Sequence, residues 1–296
     1  MNPDLALIGA RLLEYGGTLV LVGAAWFPLF GLEPDQDWPK GLVAWRKGLL
    51  AACALLSLIG GVLWLVLTAA AMNGDAPTKV SLATVESMIT DTDFGRLWVG
   101  RLALNLALLV SVPWVRRGWW FPLLGTLLAV SLAGTGHAQA EDGGARLLHM
   151  GADAIHILAA GVWIGSLVML AWLAARLPEA PVTESALKRF SGVGQLAVAA
   201  LIATGLINAW YVVADSARLV STRYGVLLDV KLLAFVGMIG LAALNRFYLV
   251  PRLAADVSRP RTIKALNRQI LLEQLLAVVV IVVVSMLGVA DPAAPL

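Results

Sequence analysis

The chain of 296 residues carries only 14% charged side chains, a mean hydropathy of +0.83 and a formal net charge of +3. A soluble domain holds about 25% charged residues, so these values exclude a water-soluble globule. The pI near 9.2 does not imply nucleic acid, because the lysines and arginines sit in short clusters between long apolar runs, as in a chain threaded through a bilayer.

A spanning helix needs about 20 mostly apolar residues. Eight segments qualify, at about 5–31, 48–71, 97–115, 119–136, 150–175, 190–214, 225–249 and 267–290. Runs of this length are too long for barrel strands, and only helices or closed barrels satisfy the backbone in lipid. The expectation is an all-α integral membrane protein: a bundle of eight transmembrane helices, forming a single polytopic domain over 1–296.

The first run opens "MNPDLALIGARLLEYGG". It lacks a basic leading region and a small-residue cleavage site, so no cleavable signal peptide is expected. Within it, Arg11 and Glu14 are spaced i, i+3; either they neutralise each other or Glu14 lines a cation path. The lone cysteine, Cys53, lies in the second run and reads as a small buried hydrophobe. Between the second and third runs, Val80, Leu82, Val85, Met88 and Ile89 recur at helical spacing in "KVSLATVESMITDTDFGRLW", which predicts a short amphipathic helix lying on the membrane surface. Trp38, Trp45, Trp98, Trp119 and Trp120 fall near helix ends, where an aromatic belt sits.

All three histidines of the chain, His137, His149 and His156, lie in "LAGTGHAQAEDGGARLLHMGADAIHILAAGVWIG", residues 132–165. His149, Asp153 and His156 are at i, i+4 and i+7, so one helix face carries them. The two histidine Cα atoms are about 10 Å apart along the axis, a long reach for one ion held at about 2 Å from each imidazole. Two arrangements remain open: one site joining His156 to His137 across helices, or two stations in series. Asp153 is a ligand or orients an imidazole from behind. Imidazole suits copper, zinc, iron and nickel, and an added thioether such as Met150 favours Cu(I). Cysteine clusters and an HExxH motif are absent. Further along, Gly161 and Gly165 form a GxxxG pattern that favours close helix packing.

Asn105, Asn208 and Asn245 can bond between helices. Asp229 and Lys231 open the seventh segment; Lys231 either snorkels outward or pairs with an acid inside the bundle. Glu273, with Gln269 and Gln274, sits in the inner third of the eighth. Glu14, Lys231 and Glu273 are the candidate groups of an ion path. No Walker A motif or other enzyme signature is present, so neither ATP-driven pumping by this chain nor catalysis is expected.

Loop charges predict the orientation. The loops after segments 1, 3, 5 and 7 hold Lys40, Arg46, Lys47, Arg116, Arg117, Arg176, Lys188, Arg189, Arg246, Arg252, Arg259, Arg261, Lys264 and Arg268; the other loops and their helix ends hold Lys79, Arg96, Arg101, Arg146, Arg218, Arg223 and Lys231. Fourteen against seven puts the first set in the cytoplasm. Both termini and the histidine segment are then extracytoplasmic.

The stretches "GTGHA", "HILAAGVWIGSLVML", "RFSGVGQLAVAALIATGLINAW" and "YGVLLDVKLLAFVGMIGLAALNRFYLVPRL", within 134–253, resemble in order and spacing the CopD family of bacterial copper-resistance membrane proteins. The resemblance implies an eight-helix protein of the bacterial inner membrane that moves copper from the periplasm toward the cytoplasm. It implies His137, His149 and His156 as copper candidates, with Cu(I) and Cu(II) both open. It also implies a small periplasmic copper carrier of the CopC type as partner; some relatives have one fused, and this chain leaves no room for it. Two other readings stand beside copper import. One is a b-type haem protein carrying electrons, ligated by His137 and His156. The other is a membrane scaffold for the copper carrier, without transport of its own.

Overall fold

The structure, a computed structural model, describes residues 3–33, 38–74, 80–116, 118–135, 143–212, 222–254 and 259–291. Among these residues every regular element is helical. The elements are α1 (Pro3–Phe30), α2 (Lys40–Asn73), α3 (Leu82–Asp91), α4 (Asp93–Ser111), α5 (Trp120–Val130), α6 (Gly143–Arg176), α7 (Pro181–Val212), α8 (Arg223–Leu244), α9 (Val250–Ala254) and α10 (Arg259–Leu287). A π turn, Asn245–Leu249, joins α8 to α9. Pro251 has no N–H for the carbonyl of Phe247, and the helix widens just before it.

Seven of the described helices are long and apolar enough to cross a membrane. The eighth expected span is shorter: 119–136 holds the 11-residue helix α5 and a 3-10 turn at Ala133–Thr135. Eleven residues rise about 16 Å, half of the hydrocarbon core. The expected surface helix is α3, capped by Ser81, whose hydroxyl accepts from the Thr84 amide at 3.1 Å. Val80, Val85, Met88 and Ile89 turn inward against α2 and α4, while Leu82 faces out. α2 ends on Gly74, whose φ of 68° is the left-handed cap that glycine adopts without strain.

α1 and α6 are the centre of the bundle. α1 packs against α2, α5, α6 and α10, and α6 against α1, α5, α7 and α10. Their crossing is built from glycines. A Cβ on Gly165 would meet Gly23 Cα and the Val20 carbonyl at 2.6 Å, and one on Gly23 would collide with the Gly161 carbonyl. The GxxxG of α6 therefore bears on α1. Gly17 and Gly60 play the same part between α1 and α2.

Three sequence expectations change on folding. Arg46, counted above as a loop charge, is buried in α2. Pro28 lies inside α1 and cannot donate to the Ala24 carbonyl; Arg46 supplies the missing donor, Nε to Ala24 at 2.9 Å and Nη2 to the Ala25 carbonyl at 3.2 Å. Trp98, expected in the aromatic belt, is fully buried: its indole donates to the Gly61 carbonyl at 2.7 Å and its ring lies against Phe94 and Trp64. Glu14 is not neutralised by Arg11. It pairs with Arg101 of α4, and Arg11 instead donates to the Tyr15 hydroxyl and lies over Trp64. Cys53 is buried, as its setting implied.

Two stability tests follow from these contacts. Gly165→Ala should cost about 1–3 kcal/mol through overpacking, read as a lowered thermal midpoint in detergent. Gly192→Ala, whose Cβ meets nothing within 4 Å, is the control and should leave the midpoint in place. Arg46→Met should cost about 1–3 kcal/mol by orphaning a buried carbonyl. Pro28→Ala in the same protein should recover part of that loss, since an alanine at this position restores the helical donor; absence of any recovery would mean Arg46 does not serve the proline gap.

A polar ladder between α6, α7 and α8

The N-terminal half of α6 bears the histidine stripe, and α7 runs antiparallel beside it. Thr204, Asn208 and Tyr211 of α7 have the same i, i+4, i+7 spacing as His149, Asp153 and His156. The two stripes meet rung by rung. The buried His149 ring stacks on Tyr211, with centroids 4.7 Å apart and planes within 9°. Asn208 Nδ2 donates to Asp153 Oδ1 at 3.5 Å. His156 Nδ1 lies 2.9 Å from Thr204 Oγ1. Gly205 lies beside this ring, and a Cβ there would meet His156 Cε1 at 3.6 Å, an ordinary contact.

α8 closes the third side. Lys231 interacts electrostatically with Asp153, and its charge also reaches His156. Of the two sequence alternatives for Lys231, the charge faces inward, toward Asp153, without a direct salt bridge between them among the described residues. The ladder thus assembles two imidazoles, a carboxylate, an ammonium, an amide and a hydroxyl within the membrane-spanning region.

The bonds select a tautomer at His156. Thr204 has one hydroxyl hydrogen, and its oxygen lies 2.6 Å from the Ala200 carbonyl. The hydroxyl donates there, so towards His156 it acts as acceptor and Nδ1 carries the proton. Nε2 then presents its lone pair. A metal-binding histidine is commonly fixed this way, by a partner on the nitrogen that does not ligate.

The other candidate residues are placed as follows. His137 lies outside the described residues. Met150 follows His149 directly, about 100° round the helix, and is off the stripe. Glu14 belongs to a separate, fully buried network: it pairs with Arg101, accepts from Ser57 Oγ at 3.1 Å, and Arg101 also donates to the Leu128 carbonyl at 2.9 Å and to Ser131. Glu273 of α10 is buried toward the other end of the bundle, where Asn245 Nδ2 donates to it at 2.5 Å. Between the ladder and Glu273 stand Trp163, two turns after His156 in α6, and Phe235, one turn after Lys231 in α8; their rings meet edge to face at 6.0 Å. Among the described residues, no group of three His, Cys, Asp or Glu side chains forms a metal cluster.

Asn208 and Asn245 bond between helices as expected, but Asn105 is buried with no hydrogen-bond partner among the described residues. Thr204 and Tyr211 were not singled out in sequence. The signal that would have found them is their spacing, which repeats that of the histidine stripe.

The chain is similar to known proteins along most of its length. The profile for the copper resistance protein D-like N-terminal domain matches residues 1–147, and that for copper resistance protein D matches 184–287. Copper resistance protein D of Pseudomonas syringae pv. tomato is 31% identical over 299 residues, covering 96% of each chain. Inner membrane protein YebZ of Escherichia coli is 29% identical, covering 82% of this chain and 81% of the relative. Copper transport protein CutJ of Bacillus subtilis is 27% identical over 90% of this chain and 50% of the relative. No solved structure matches significantly.

The tautomer can be read without any metal. Nitrogen-15 spectra of the histidine rings should show His156 protonated at Nδ1, with Thr204→Ser retaining that signature and Thr204→Val losing it. An Nε2-protonated ring in the unaltered protein would refute the assignment.

Proposed function

This chain belongs to the copper resistance protein D family, and from that premise we propose that it carries copper ions inward across the bacterial inner membrane through the α6–α7–α8 ladder. The observation that carries this reading is the rung-by-rung pairing of His149, Asp153 and His156 with Tyr211, Asn208 and Thr204. A cation leaving water meets a large desolvation cost. Ligands spaced along a helix lower it by passing the ion between neighbouring sites. His137 and His149, with Met150 close by in sequence, take the ion at the outer end; Asp153 and His156 hold it deeper. The two-station arrangement is favoured because α7 supplies each histidine with its own partner.

Lys231 supplies the counter-charge. Its ammonium balances Asp153 while the ladder is empty, and an arriving copper ion takes over that role. The Trp163–Phe235 contact serves as an apolar step between the outer ladder and the inner half. Glu273, with Asn245, is the first carboxylate inward of it. Glu14 is committed to Arg101 and serves the fold rather than the path.

The orientation rests on charge. Arg46 and Arg101 are both buried. One leaves each set, so fourteen less one against seven less one still favours the cytoplasm for the loops after the odd-numbered segments of the sequence. Taking 118–135 as a thin crossing keeps both termini outside. The whole chain works as one polytopic unit, since α1 touches both α6 and α10. A separate CopC-type carrier delivers copper at the outer face. The names of two relatives speak of copper resistance and copper transport, which supports copper over haem and gives no sign of catalysis.

Copper uptake into proteoliposomes tests the route. His156→Ala should slow it at least about ten-fold, the lower end of what disturbing a metal's surroundings costs, while Glu14→Gln with Arg101→Leu should alter stability more than rate. Uptake by His156→Ala at the parent rate would sink the proposal.

A further inference from the structure

In the inner half of the bundle, α7 and α8 flank a groove with a cavity of about 390 Å³. The two helices scarcely touch. The floor is apolar and buried: Trp163, Leu167 and Leu170 of α6 and Ile270 of α10. The mouth is lined by exposed residues, Gln195, Ala199 and Ile202 of α7 and Phe247 after α8. All of these lie in membrane-spanning helices, so the mouth opens sideways into hydrocarbon rather than into water.

One end of the groove is charged. Arg246 reaches from the π turn across to α7, where its Nη1 donates to the Ser191 carbonyl at 3.0 Å and to Ser191 Oγ at 2.5 Å. Neighbouring cations on α7 already have acids: Lys188 pairs with Glu184 at 2.8 Å and Arg189 with Glu33 at 3.7 Å. Arg246 has no carboxylate partner among the described residues. A guanidinium has five N–H donors, and the Ser191 bonds use only Nη1. Glu273, on the floor, is turned to Asn245.

The length is informative. From Ser191, level with Arg246, to Ile202 is eleven residues of helix, about 16 Å. That is close to half of the roughly 30 Å hydrocarbon core, one leaflet. We propose that the groove holds one acyl chain of an anionic phospholipid, its phosphate on Arg246 and its tail running along α7 to Trp163. Basic pockets between spanning helices on the cytoplasmic side bind anionic headgroups in this manner. The chain fills the space that separates α7 from α8 and seals Glu273 from the surrounding lipid. Under the orientation proposed above this is a lipid of the cytoplasmic leaflet; binding itself depends neither on that orientation nor on copper.

Native mass spectrometry of the full-length, copper-free protein decides it, with phosphatidylglycerol and phosphatidylcholine of the same chain length added in turn. Phosphatidylglycerol should be retained at one per chain with about five-fold preference, the value of one basic contact to an anionic headgroup. Arg246→Gln should bring the two lipids to parity. Ala199→Trp, which fills the mouth, should reduce retention of both; Ile202→Trp does the same from a side chain already half exposed. Equal retention of the two lipids by the parent overturns the headgroup assignment. Undiminished retention by both tryptophan variants overturns the groove. Either result leaves the copper route standing, because that route is tested by uptake.

Discussion

The contact between α1 and α6 is made backbone to backbone, at Gly23 on one side and Gly161 and Gly165 on the other. In lipid there is no hydrophobic gain from joining two apolar helices, so association depends on close packing and interhelical hydrogen bonds. Removing side chains from the crossing lets the two central helices of the bundle serve as one pillar. Among the N-terminal helices α2 and α5 pack on α1, and among the C-terminal ones α7 and α10 pack on α6. Because α6 is fixed against α1 at mid-length, its N-terminal half presents the 149–156 stripe toward α7.

Polar groups in this protein fall into two kinds. Most of those of the N-terminal half, Asn105 excepted, are consumed by the fold. Arg46 answers the proline gap in α1, and Glu14, Ser57, Thr18 and Arg101 satisfy one another in a closed network. Such groups are costly to bury and tolerable only when fully paired. Those between α6, α7 and α8 are arranged differently. They form a line rather than a knot, each rung bridging two helices, with a lysine standing opposite the carboxylate. A line of partly engaged donors and acceptors is what an ion can move along. The proposed transport route grows from that difference in arrangement.

The groove between α7 and α8 belongs to the same logic. α7 packs on α6 and α8 on α10; helices seated on different neighbours need not pack on each other, and the bilayer is a solvent able to fill what they leave. Arg246 spans the gap at one end. The Trp163–Phe235 contact and the outer ladder bridge it further out.

Much of this was legible in the chain itself. Apolar run length located seven spanning helices, and periodicity located α3 and placed His149, Asp153 and His156 on one face. GxxxG announced a close crossing. These are local properties, set within a few turns of one helix, and a helix keeps them wherever it is put. What folding alone decided was which face meets which. No spacing in the sequence says that Glu14 takes Arg101, 87 positions away, rather than Arg11 on its own helix. None says that Arg46 leaves the loop to serve Ala24, or that Trp98 is buried instead of lying in the belt. The short α5 likewise departs from the full span that hydropathy suggested at 119–136. The matched spacing of 149–153–156 and 204–208–211 lay in the sequence throughout, but its meaning did not. Register between antiparallel helices is fixed by side-chain packing and glycine contacts far along the chain. Only once α6 is held against α1 and α7 laid beside it do the two stripes become one ladder.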